Sequence, residues 1–466
     1  DEQRGWIESV LQTPPPEANA TASSGPMPAG GVDVMSMPPW IPSPLLPLIL
    51  SQDAMDMEDL KQVKALVFGP ETFYVSSEEE GPFIALYKGS LQADSAEVFE
   101  KVQERLSAIP GVRDRVQLLL LPDPTPDTIR RAELMQQGLP PEALGEPEPV
   151  FVAISAAAAP LRPQGAFQLS YVIPLLLSAI TTLSYALSTY AFTGDVYDQL
   201  ADGDISALDR VLPIAAGILG VSALHEIGHA VAGVVRGVKL GVPLVLPSTL
   251  VGTYGTITKF LSFPKDRKSQ FDVAAAGPLV GLLASAGLLL WGLWAAAHAL
   301  PGEIQDYPVL PASFLRSSAL VGAMTAVLDP VTAMAAPGTP TSVHPLAIVG
   351  AVGTVINALN LMPVGRLDGG RMASAALGRP TAALVANIVL LLQALSFFFT
   401  TNGLQLYWGL VIVLFQRDQD VPSRDDVTPL DDGRRVAFFA AMALAALALL
   451  PFPGVGGPGG GIGGGL

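Results

Sequence analysis

His225, Glu226 and His229 form the pattern His-Glu-x-x-His in a chain that has four histidines in all. On an α-helix, positions i and i+4 lie on one face, so both imidazoles can bind one metal ion. A glutamate beside the first ligand can accept a proton from a water that the metal activates. The pattern falls inside an apolar run, residues 211–235. Three ionisable residues within five positions of a membrane span are costly, and such residues are usually functional. The plainer reading makes them core polar residues satisfied by neighbours. His298 and His344 lie at the ends of other apolar runs and read as interfacial or structural.

A catalytic zinc takes three protein ligands and leaves one position open. No third histidine is well placed, so a carboxylate is expected near the inner end of a span. Asp266 and Asp272 lie in or beside a basic loop. Asp368 follows the apolar run 345–363, in a stretch where Pro363, Gly365, Gly369 and Gly370 loosen any helix. A break of this kind, buried in protein, lets a backbone and a carboxylate approach a metal. The competing reading of Asp368 is a helix cap in an exit turn.

The elements that must carry these residues follow from composition. Of 466 residues, 50% are apolar and 15% charged, against about 25% charged in a typical soluble domain. There is no cysteine, which excludes disulfide scaffolds, thiol nucleophiles, Cys-ligated zinc and iron–sulfur clusters. The net charge of −16 argues against a nucleic-acid partner. Residues 1–166 hold 24 acidic and 11 basic side chains, and residues 167–466 hold 18 and 15. The first part is therefore acidic and water-facing, and the second is apolar. Between Glu148 and Glu303 the only glutamate is Glu226.

A membrane span needs about 20 apolar residues. Candidates are 171–192, 211–235, 273–297, 345–363 and 382–399, with the shorter 404–416 and 436–450. The run 317–336 is interrupted by Asp329-Pro330 and is expected to be re-entrant or interfacial. The expectation is a polytopic α-helical membrane protein of about seven to eight transmembrane helices. The loop 193–209 has five aspartates and no lysine or arginine, whereas Arg236, Lys239, Lys259, Lys265, Arg267 and Lys268 crowd the next loop. By the positive-inside rule that second loop faces the cytosol or stroma. Arg366, Arg371 and Arg379, and then Arg417, Arg424, Arg434 and Arg435, share its side, and counting crossings puts the N-terminal domain there too.

Residues 1–55 read as a Pro-rich, acidic, disordered linker, because five prolines in 38–50 would break a spanning helix. Residues 56–160 read as a small soluble α/β domain. Strands are expected at 63–68, 73–75, 83–87, 115–121 and 150–154, and a helix capped by Asp94 or Ser95 buries Val98, Phe99, Val102 and Leu106. Glu78, Glu79 and Glu80 read as a solvated turn. The Gly-rich tail, 453–466, is expected to be disordered. The chain begins at Asp1 rather than Met, which points to a processed product or a fragment.

Residues 252–259 alternate apolar and polar side chains and read as a strand or hairpin at the membrane surface. It is either a plain hairpin or an edge that takes up an extended peptide by β-addition. Ala276-Gly277-Pro278 with Gly281 suits close helix packing.

Three stretches together are similar to the site-2 proteases, intramembrane zinc metallopeptidases: HEIGHA at 225–230, FDVAAAGPLVG at 271–281 and NLMPVGRLDGGR at 360–371. The resemblance covers about 164–452, a site-2-protease-like membrane domain. It is nearest to the plastid and cyanobacterial branch, which carries a comparable N-terminal domain, His344-Pro345-Leu346, and a GxxGxITxF pattern as at 252–260. The family's tight NPxDG form is here stretched over Asn360, Pro363 and Asp368, as in that branch.

The resemblance implies that His225, His229 and Asp368 bind one zinc ion per chain and that Glu226 is the general base. It implies a role in substrate positioning or oxyanion stabilisation for Asn360. The activity implied is that of a zinc metalloendopeptidase cleaving transmembrane protein substrates in the lipid bilayer. The implied location is a chloroplast membrane, thylakoid or envelope, with a cyanobacterial membrane as the alternative. No feature sets the oligomeric state. Two other functions compete: a non-proteolytic membrane scaffold or chaperone retaining the metal site, and a zinc transporter.

Overall fold

The computed structural model describes residues 40–158 except 43, 50, 51, 53, 137, 139, 141 and 143, then 160, 169–396 and 403–452. The disorder expected for 1–39 and 453–466 lies outside the described residues. The four strands β1 (Phe73–Glu80), β2 (Ile84–Leu91), β3 (Val116–Pro122) and β4 (Pro149–Ser155) form an antiparallel sheet in the order β1-β2-β4-β3. Side chains alternate between the faces of a strand. Leu118 and Leu120 therefore meet Val98, Phe99 and Val102 of α2 (Ser95–Ser107) together with Leu60 and Val63 of α1 (Met57–Leu66). Leu119 and Leu121 point the other way, against Trp40, Leu45, Ile49, Phe263 and Val421.

The structure departs from three of the expectations. Residues 63–66 belong to α1 rather than to a strand, because Asp56 accepts the Glu58 amide at the N-terminus and the apolar Leu60, Val63 and Val67 recur at helical spacing. Glu78–Glu80 complete β1 instead of turning, paired with Tyr87, Leu86 and Ala85. The linker expected over 1–55 is structured at its end. Helix Leu46–Ile49, with Trp40 and Leu45, covers the second face of the sheet, since Leu119, Leu121 and Val152 would otherwise be wet.

Strand β3 is the sheet's edge, and it is not left open. The Leu120 amide donates to the Arg424 carbonyl at 2.7 Å, and the Asp426 amide to the Leu120 carbonyl at 2.9 Å. The same segment bonds Pro264 and Lys265 through the Arg424 and Asp425 amides. Residues 424–426 thus bridge the sheet to residues 264–265, just before the apolar helix Arg267–His298, which consumes edge groups that would otherwise template pairing.

Among the described residues, three helices are long and apolar enough to cross a membrane: α3 (Leu169–Ser188), Ile205–Arg236, which contains α4 (Leu208–Arg236), and α5 (Arg267–His298). Between α4 and α5 the chain forms the hairpin β5 (Leu244–Ser248) and β6 (Gly252–Ile257). Helix α6 (Pro345–Asn360) packs against α4 and α5 and is buried from Ala347 to Asn360. Its 16 residues extend only about 24 Å. Close approach depends on missing side chains: a Cβ on Gly228 would lie 2.6 Å from the Ala276 carbonyl oxygen, and one on Gly350 would strike the Leu289 backbone. Helices α7 (Asp368–Leu377), α8 (Arg379–Ser396), α9 (Gly403–Val411) and α10 (Asp432–Leu449) complete the bundle.

The interrupted run 317–336 forms two short helices, Ala319–Leu328 and Pro330–Met334. Asp329 breaks them and caps the second by accepting the Thr332 amide at 3.1 Å. The charges at one end of the bundle pair with one another. Asp272 binds both Arg236 and Arg434, Asp426 binds Arg267 and Arg379, and Asp420 binds Arg371.

Candidate metal centre

Helix α4 brings the two imidazoles of the i, i+4 pair to one face, and both are buried, at 4% and 3% exposure. The His229 Nδ1 lies 2.7 Å from the Val273 carbonyl oxygen, which can only accept, so Nδ1 carries the proton. His225 Nδ1 lies 2.8 Å from Asn357 Oδ1. The Asn357 Nδ2 donates to the Gly353 carbonyl at 2.8 Å, which turns its oxygen toward His225 and makes that Nδ1 a donor as well. Both Nε2 atoms therefore present lone pairs, and they face each other at 3.0 Å.

Asp368 opens α7 rather than capping it; the N-cap position is Leu367. Its Oδ2 lies 3.3 Å from each Nε2. Tetrahedral bonds to zinc of about 2.0–2.1 Å put ligand atoms about 3.3 Å apart. The triangle of 3.0, 3.3 and 3.3 Å fits that edge length. Two lone pairs and an anionic oxygen at this spacing repel unless a cation lies among them. The donor set of imidazole, imidazole and carboxylate, with both rings oriented through Nδ1, suits a divalent metal that favours nitrogen and oxygen.

The Glu226 carboxylate is held from the hairpin side, by β6 and the residue that follows it. Thr256 Oγ1 donates to Oε1, and Thr258 Oγ1 donates to Oε2 at 2.5 Å. The other sequence-selected residues occupy separate places. Asp266 caps α5 through the Ser269 amide, at 2.7 Å. Asp272 is held by the arginines at the end of the bundle. His344 caps α6 through the Leu346 amide, and His298 bonds the Trp294 carbonyl oxygen. Asn360 donates both amide hydrogens to carbonyls, of Ile356 at 3.0 Å and Tyr254 at 3.3 Å, and so braces β6 against α6.

Sequence reasoning missed several contributors. Asn357 orients His225, and Gly281 leaves room for its amide, since a Cβ there would strike Asn357 Oδ1. Gly277 leaves room for the His229 ring in the same way. Arg371, read from sequence only as a topological charge, is 4% exposed; it donates to the Thr258 carbonyl at 2.8 Å and lies over the Phe260 ring. A pair of asparagines three apart on an otherwise apolar helix was the one visible signal for Asn357. Beside the hairpin a cavity of about 2220 Å³ runs between the sheet domain and the bundle, lined by Leu121, Arg130, Leu246, Tyr254, Phe260 and Arg371.

Residues 213–400 match the model of peptidase family M50, and residues 61–157 match that of the EGY3 middle domain. The chain is 30% identical to a protein of Arabidopsis thaliana named probable zinc metalloprotease EGY1, chloroplastic, over 86% of this chain and 73% of that one. It is 28% identical to the EGY1 protein of Oryza sativa subsp. japonica, over 86% and 69% of the two chains. It is 32% identical to the EGY2 protein of Arabidopsis thaliana, over 85% and 65%. No solved structure matches the chain. Identity sustained across both the sheet domain and the helices that carry the two imidazoles and the carboxylate makes the chain a member of peptidase family M50, the site-2 proteases.

Proposed function

We propose that the protein is an intramembrane zinc metalloendopeptidase in which His225, His229 and Asp368 hold one zinc ion and Glu226 is the general base. The observation that carries this reading is the pair of Nε2 lone pairs facing each other at 3.0 Å with a carboxylate oxygen 3.3 Å from both. Bound there, zinc would supply a Lewis acid able to polarise a peptide carbonyl and to make a water acidic near neutral pH. Glu226 takes the proton of the attacking water on a carboxylate oxygen and hands it to the departing amine. Val273 and Asn357 keep both imidazoles in the tautomer that presents Nε2. Asn360 holds β6 through the Tyr254 carbonyl and is itself fixed on the Ile356 carbonyl of its own helix, a positioning role rather than direct oxyanion donation.

The substrates are transmembrane proteins whose scissile segment is unwound beside the hairpin, and the cavity between sheet domain and bundle supplies its approach and that of water. Residues 56–160 form the soluble domain, 164–452 the membrane peptidase with about seven to eight spans, and the chloroplastic relatives support a plastid membrane as its location. Intact ligands together with the base favour this reading over a scaffold.

The test is a pair of variants. Glu226→Gln is expected to keep stoichiometric zinc and to lose cleavage of a single-span substrate in proteoliposomes. His225→Ala is expected to lose both. Full cleavage by the Glu226→Gln protein would overturn the assignment of the base.

A further inference from the structure

We infer that Thr256 and Thr258 are positioning residues that aim the Glu226 carboxylate from the hairpin. This rests on Glu226 being the base. Alternate residues of an extended chain share a face, and these two threonines, the second one step past the end of β6, present their hydroxyls together to α4. Each hydroxyl takes a different carboxylate oxygen. A carboxylate oxygen has two lone pairs, so each oxygen keeps one to receive a proton. The grip therefore fixes the direction of the carboxylate and leaves each oxygen a site for a proton.

The grip is itself held from the segment that carries the third metal-site residue. Arg371, one helical turn from Asp368, donates Nη2 to the Thr258 carbonyl at 2.8 Å. Its Nε is tied to Asp420 at 2.7 Å, so the guanidinium does not wander. Asn360 holds the Tyr254 carbonyl two residues before Thr256. Thr256 and Thr258 are 9% and 6% exposed, so water does not substitute freely for either hydroxyl. The position of the base is thus set by the hairpin and by α7 jointly, not by α4 alone.

The test replaces each threonine by the isosteric valine, which lacks the hydroxyl, and by serine, which keeps it. Thr256→Val and Thr258→Val are each expected to lower kcat about tenfold to a hundredfold, the range for a hydrogen bond to a charged group. KM and zinc content should stay unchanged, and Thr256→Ser and Thr258→Ser should restore most of kcat. A second readout needs no activity: in metal-stripped protein, Glu226→Ala should raise amide hydrogen exchange over residues 252–258 relative to the parent. Valine variants with undiminished kcat would overturn the inference. So would serine variants as slow as the valine ones, or unchanged exchange in Glu226→Ala. A Glu226→Gln protein that cleaves at full rate would instead remove the base assignment; an inert Glu226→Gln beside fully active valine variants would remove the clamp alone.

Discussion

At the residue scale the centre is a problem in orientation. Two imidazoles four positions apart reach one metal only when both rings are rotated to present Nε2, and that depends on partners elsewhere in the chain. Asn357 is the side-chain partner. Asn357→Ala leaves the His225 Nδ1 proton without its acceptor, and zinc affinity measured by chelator competition should fall about 10–100-fold. Unchanged affinity would show that the contact does not orient the ring. His225 and His229 are legible in the sequence because helical periodicity alone brings them together, and Glu226 because it adjoins the first of them. Asp368 is 139 positions from His229, and residue spacing could not choose it over Asp266 or Asp272. Resemblance to a known family was needed. Asn357 shows in the sequence only as one of two asparagines three apart, and Thr256 and Thr258 only as polar positions of the alternating stretch 252–259; neither signal says what the side chain binds.

At the element scale the three donor atoms of the candidate metal centre meet because α4, α5 and α6 approach more closely than ordinary side chains allow. Gly277 is one of the gaps. Gly277→Ala would put a Cβ into the His229 ring, so the purified protein should contain less zinc while keeping its helical circular dichroism. Full zinc content would contradict that account. The small residues at 276–281 do read from sequence as packing residues, but what they make room for, a ring and an amide, does not. In the sheet domain, local composition misleads at 63–68, where β-branched and aromatic residues suggest a strand although the buried positions recur at helical spacing.

The same domain carries a pH dependence. Asp59 is buried, and its bonds to the Arg115 guanidinium, at 2.5 and 2.6 Å, hold its carboxyl below the usual carboxylate range. A depressed carboxylate stabilises the folded state fully above its unfolded pKa. That stabilisation is lost as pH falls through the folded value. Asp59→Asn should therefore flatten the acid limb of the domain's thermal unfolding curve, and an acid limb unchanged from the parent would contradict the pairing.

At the scale of the whole molecule, the sheet domain and the bundle are one mechanical unit, joined through residues 424–426 and the charges around them. Asp426 is buried and binds Arg267 and Arg379, themselves largely enclosed. Asp426→Ala strands two cations, and breaking a buried pair in this way costs about 3–5 kcal/mol, so the melting temperature in detergent should fall by several degrees or more. A melting temperature equal to the parent's would mean that the pairs do not hold the junction. The main-chain part of this junction is invisible in the sequence, because hydrogen bonds to the edge of β3 have no side-chain signature. The apolar runs, by contrast, announce a membrane protein directly, although α6 shows that an apolar run can be a buried central helix. A zinc ion held by two imidazole nitrogens and one carboxylate oxygen has a distinctive X-ray absorption spectrum at the zinc edge. The purified protein is expected to show four nitrogen or oxygen ligands at about 2.0–2.1 Å with two imidazole signatures, falling to one in His229→Ala. A spectrum without imidazole, or one that His229→Ala leaves unchanged, would contradict that ligand set.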